Sequence, residues 1–211
     1  MSSIATLVFI SLISCAALSG CGASLSGESH SAPRMVARIW EPQTEIGRSF
    51  KAAHLHDCEL ALKELSAISH VDSIEIQLRY GLGANTRKLF FGATVFTNKP
   101  FSVVTSSFED RSTSVLKDLG RRVFQAIGNR KEILSDTIVT GAFAEFGWHV
   151  RDTMSYENPD RVEFVDMHVD REMLTKYLTH TFTLQQVIDS AGAYGHKVDK
   201  TFGPVRVVVG E

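Results

Sequence analysis

Residues 166–170 read Asp-Met-His-Val-Asp. Side chains alternate along a strand, so Asp166, His168 and Asp170 would share one face. Two carboxylates and an imidazole on one face could hold a divalent cation or run acid–base chemistry. A closed zinc site takes four ligands, however, and only three are in view. The competing reading is architectural. Asp170 caps the helix that follows. Asp166 and His168 form the wet face of a strand whose other face is Val165, Met167 and Val169. A second set lies in His54-Leu55-His56-Asp57-Cys58. His54 and Cys58 stand four apart and would share a helical face, and zinc accepts both ligand types. No CxxC or HExxH partner accompanies them, and Cys58 also continues an apolar stripe, as a small buried hydrophobe does. The glycines at 81–83 and 141–147 match neither a dinucleotide fingerprint nor a phosphate loop, and read as turns and bulges. GxSxG is absent. The expectation is therefore a chain with no assigned catalytic residue, no resident metal and no cofactor.

The elements that would position these residues alternate between helix and strand. Met35–Trp40 reads as a strand stopped by Pro42. Thr44–Ser69 carries two helical apolar stripes that fail to join around His54–Asp57, which predicts a break there. Ile74, Ile76, Leu78 and Tyr80 alternate with Glu75, Gln77 and Arg79, the period of a strand with one buried face. Lys88–Thr97 returns as a second strand, and Phe101–Thr105 as a short third. Ser106 and Glu109 have capping-box spacing and head a helix to Ile127. Thr137–Asp152 and Arg161–Val169 read as strands, separated by a polar loop over 154–160. A short helix follows to Leu178. Thr183 and Gln186 form a second capping box, heading a helix to Ala191. Residues 192–203 read as loop and Val205–Val209 as a terminal strand. The order β-α-β-β-β-α, then β-β-α-α-β, makes an α+β fold, a mainly antiparallel sheet packed against helices. A sub-boundary would fall near 130–136. Phe143, Phe146 and Trp148 are candidates for either core or partner interface.

The 211 residues carry 22 Lys and Arg against 24 Asp and Glu, a net charge of −2. That balance makes no electrostatic case for nucleic acid. Hydrophobic residues make up 44%, enough for a real core.

Residues 1–20 carry no charged side chain, and Ile4–Leu18 is an apolar run. As a helix it is short for a permanent span of a hydrocarbon core about 30 Å thick, and it suits the apolar region of a secretory signal. It closes on Leu18-Ser19-Gly20-Cys21. This motif resembles the lipobox of bacterial lipoproteins. The resemblance covers the first 22 residues or so. It implies that residues 1–20 are a signal peptide and that cleavage falls before Cys21. It further implies a diacylglyceryl thioether on Cys21 and a fatty acid such as palmitate on its new amine. Several acyl chains on one residue anchor a domain stably. Gly22, where Asp commonly retains such proteins at the inner membrane, implies the outer membrane. Residues 22–34, rich in Gly and Ser, would be a flexible tether, and residues 35–211 the periplasmic domain. Cys15 would leave with the signal and Cys21 be consumed by lipid, so Cys58 would have no disulfide partner in the chain. The β-α-β-β-α order loosely resembles small domains of outer-membrane secretion and assembly lipoproteins, an analogy of topology alone. The expected function is a non-catalytic envelope lipoprotein that binds a protein partner. The alternative is a periplasmic metal-dependent hydrolase using Asp166, His168 and Asp170.

Overall fold

Strand β2 (Val71–Tyr80) buries Ile74 and Ile76 while Glu75, Gln77 and Arg79 point the other way, as its alternation predicts. The computed structural model describes residues 35–82, 85–151, 160–197 and 201–210. The apolar run 1–20, Cys21 and the tether 22–34 lie outside the described residues, as does most of the loop at 154–160. Pro33–Glu211 is one compact unit.

Among the described residues the strands β1 (Val36–Ile39), β2, β3 (Leu89–Ser102), β4 (Val139–Arg151), β5 (Asp160–Asp170), β6 (Ala193–His196) and β7 (Phe202–Val205) form one sheet. They lie side by side in sequence order. Pairs β1–β2 and β3–β4 are parallel, and the other four pairs are antiparallel. The α+β class and predominantly antiparallel sheet agree with expectation. The two parallel pairs, β6 and the short helix α4 were not anticipated. The sheet continues from β3 to β4 across residues 130–136, which hold α4 (Lys131–Ser135).

Helix α1 (Glu45–Ser66) joins β1 to β2. Thr44 caps it by accepting the Gly47 N–H at 3.1 Å. Gly47 is required there, because a Cβ would lie 2.8 Å from Pro42 Cβ. His54 is non-helical at φ −118°, ψ 19°, so the discontinuity of the two apolar stripes is a physical kink. Between β3 and β4 come α2 (Phe108–Val115), a π turn (Leu116–Gly120), α3 (Arg121–Gly128) and α4. The capping box sits one residue later than expected, on Ser107 and Asp110. That register buries Phe108 and turns Arg111 inward. Helices α5 (Arg171–Leu178) and α6 (Leu184–Ala191) join β5 to β6, and the Thr183–Gln186 capping box is formed as expected.

Among the described residues the helices lie on one face of the sheet: α1 packs on α3 and α4, α3 on α5, and α5 on α6. The two parallel crossovers advance in the same direction across the sheet, but on strands of opposite sense. With their helices on the same face, they must have opposite hands. One is therefore left-handed, against the strong right-handed preference. This arrangement leaves the other face without helices among the described residues.

The helix-side core holds Phe50, Phe91, Leu116, Phe124, Phe146 and Trp148. Fully burying a large apolar side chain contributes about 1.5–3 kcal/mol. An ion pair pierces this core. Arg111 Nε and Nη2 donate to Glu163 Oε2 and Oε1 at 2.7 and 2.8 Å, and Trp148 Nε1 donates to Oε2 at 2.9 Å. The pair pins α2 to β5. The terminal strand lies earlier than expected, since β7 shares only Val205 with the span 205–209. The backbone of that span is met by side chains, with Gln185 accepting from the Val209 N–H at 2.7 Å and donating to Val207 O at 3.0 Å. Phe101–Thr105 is no separate strand. Its first residues end β3 after an irregularity between Thr97 and Phe101.

Candidate functional site

The helix-free face is read from cross-strand register. One row runs Glu75, Thr94, Glu145, Asp166, Tyr194 and Pro204 across β2 to β7. The next toward the end of β2 runs Gln77, Gly92, Phe143 and His168. On the other side, Phe96, Gly147, Phe164, His196 and Phe202 form a third row.

A polar chain crosses the first two rows. Gln77 Nε2 donates to Thr94 Oγ1 at 2.9 Å, and Thr94 donates to Glu145 Oε1 at 3.0 Å. Arg79 reaches down from the end of β2. Its Nη1 donates to Glu145 Oε2 at 3.0 Å and its Nη2 to Asp166 Oδ1. The guanidinium lies 3.8 Å above the Phe143 ring centre, a cation–π contact that fixes its plane. One cation thus serves two carboxylates, and one negative charge is left over. Burial pushes the Asp166 carboxyl up; Arg79 pulls it back, Glu145 pushes it further, and the balance stands at about 7. The trio can hold a proton near neutral pH.

His168 is on the same face, as the alternation predicted. It packs edge-on to Phe90 (4.9 Å between centroids) and stacks with Phe143 at 5.9 Å. Its Nδ1 is 3.8 Å from Asp166 Oδ1, too far for a hydrogen bond, and its buried Nε2 has no partner among the described residues. Burial, with Arg79 nearby, holds the imidazole down to about 3, so it is neutral at physiological pH. Asp170 does precede α5 with extended backbone, yet its side chain makes no capping bond. Asp166 and His168 come together and Asp170 does not complete a set. Among the described residues no three His, Cys, Asp or Glu form a group able to hold a metal.

The second set is divided. His54 Nε2 bonds Asp136 Oδ2 at 2.9 Å, which ties the kink of α1 to the residue after α4. Cys58 is wholly buried, and burial raises its thiol to about 12. It is a protonated core residue.

Phe143, Phe146 and Trp148 are all fully buried, which removes them as interface candidates. Phe146 and Trp148 face the helices, and Phe143 lies under Arg79 on the opposite face. Tyr80, on the helix side of β2, is 54% exposed, and a group of solvent-reaching aromatics sits on the helix-free face. Phe96 and Phe164 meet edge-to-face at 5.1 Å and are half-buried. Tyr194 and Phe202 stack at 5.9 Å and are 37% and 56% exposed. Sequence reading missed Arg79, Glu145 and this aromatic group. Arg79 and Glu145 are 66 residues apart, and Tyr194 and Phe202 fell in a segment read as loop. Comparison of the chain with protein families, curated proteins and solved structures finds no match.

Proposed function

We propose that this is a lipid-anchored envelope protein, acylated at Cys21 and sorted to the outer membrane, which acts without catalysis by docking an envelope protein. The observation that carries the docking reading is the aromatic group Phe96, Phe164, Tyr194 and Phe202 on the face that no described helix covers. Aromatic side chains are enriched in protein interfaces, where they bury much area at low entropic cost. The polar trio beside them supplies a charged border. The lipobox motif supports the anchor. Among the described residues no helix is long and apolar enough to cross a membrane.

A photo-crosslinking residue placed at Phe202 or Tyr194 in intact cells should give one discrete protein adduct. The same residue at Leu55, on the helix layer, should not. Equal labelling from all three positions would sink the docking face. Cys21→Ala should leave unprocessed or mislocalised chain; normal processing and membrane fractionation of that variant would sink the anchor. Stoichiometric metal in the purified chain, lost in His168→Ala, would favour the hydrolase instead.

A further inference from the structure

The helix layer, on the other side of the sheet, carries a cleft of about 1300 Å³ between the π turn, α3, α4 and the α5–α6 turn. Its charge is one-sided. Lys117, Arg121, Lys131 and Arg171 line it, against one carboxylate, Glu64. Glu64 is already taken by Arg130 Nη2 at 3.1 Å and Asn129 Nδ2 at 3.2 Å. Two cations near the cleft are answered, Lys99 by Asp118 and Lys176 by Glu172. Lys117, Arg121 and Lys131 have no such partner among the described residues. Unanswered charges of one sign in a concave site focus their field on an incoming anion.

Two further features mark the cleft as more than a basic patch. Lys117 and Arg121 project from the π turn and the residue after it. Such turns are rare and recur at functional sites. The α5–α6 wall adds apolar surface among Thr175, Thr179 and Thr183, with Leu178 packed against Gly128 and Phe182 half-buried beneath Lys176. A bare anion would leave that wall wet, and the volume exceeds the roughly 300–1,000 Å³ of a typical small-molecule pocket.

We propose that the cleft binds a phosphate-bearing amphiphile, with the anionic head on Lys117, Arg121 and Lys131 and the apolar part along Leu178 and Phe182. The site is separate from the aromatic face, so it stands or falls independently of the docking function.

The test is calorimetric titration of the full chain in non-ionic detergent with dihexanoylphosphatidic acid below its micellar concentration, with inorganic phosphate, and with dihexanoylphosphatidylcholine. Saturable binding is expected for the first, weaker binding for the second, and none for the zwitterionic third. Each of Lys117→Ala, Arg121→Ala and Lys131→Ala should weaken binding about tenfold, the scale of a lost hydrogen bond to a charged group. All three residues are exposed, so the variants should fold. Lys63→Ala with Arg206→Ala, cations outside the cleft, should bind as the unaltered chain does. Equal affinity for phosphate and phosphatidic acid would keep the anion site and overturn the apolar part. Absence of saturable binding by either anion, or unchanged binding by the triple variant, would overturn the proposal.

Discussion

Truncating Arg111 to alanine should cost the fold about 3–5 kcal/mol, the range for a buried pair that loses one partner. The structure supports the full range. Arg111 and Glu163 are 4% and 2% exposed, and the bond is bidentate. Without Arg111, the Glu163 carboxylate keeps a single neutral donor, Trp148 Nε1. The Ser106 carbonyl also loses the Arg111 Nη1 donor. With a urea slope of about 2 kcal/mol per M, the unfolding midpoint should fall by roughly 2 M. The double variant Arg111→Met, Glu163→Met removes both charges together. Such a replacement is often near neutral, but here Trp148 Nε1 loses its acceptor, at about 1–3 kcal/mol. The double variant should thus be more stable than either single one. A double-mutant cycle by urea denaturation should give a coupling of about 2 kcal/mol or more, at the upper end of directly contacting pairs. Additive losses, or a loss under about 1 kcal/mol for Arg111→Ala, would refute this account of the core.

Asp166 and His168 should pull the pH dependence of stability in opposite directions. Asp166 rises from 3.8 to about 7 on folding, so between those values the native chain holds the extra proton and stability falls as pH rises. His168 drops from 6.5 to about 3, so over that window the unfolded chain holds the extra proton and stability rises with pH. Asp166→Asn should expose a climb from about pH 4 to 6.5, and His168→Gln a decline toward pH 7, each up to about 1.4 kcal/mol per pH unit. Denaturation series at several pH values check this, and identical slopes in both variants would contradict it. Cys58 should resist thiol reagents at pH 8 in the native chain and react on unfolding, as read by mass of the labelled peptide; native labelling would contradict its burial. Gly92→Ala should destabilise by at least about 1–3 kcal/mol, because its Cβ would lie 1.9 Å from the Phe143 carbonyl oxygen of the paired strand. A thermal melt unchanged from the parent would reject that register.

What sequence alone determined here was local. The alternation in β2, the kink at His54 and the Thr183–Gln186 capping box each depend on residues within a few positions of one another, and each is present. Asp166 and His168 share a face for the same reason. The tertiary structure decided everything that joins distant segments. Ser107 rather than Ser106 caps α2, in the register that lets Phe108 and Arg111 enter the core. Alternation alone puts Phe143 and Phe146 on opposite faces of β4, but only packing decides that Phe146 meets the helices and Phe143 lies under Arg79. Arg79 finds Glu145 and Asp166 only because four strands, β2 to β5, come into register. Side-chain periodicity specifies which face a residue occupies, but not which strand lies alongside or what covers that face. Those depend on strand order and crossover hand, which are set by packing across the whole domain.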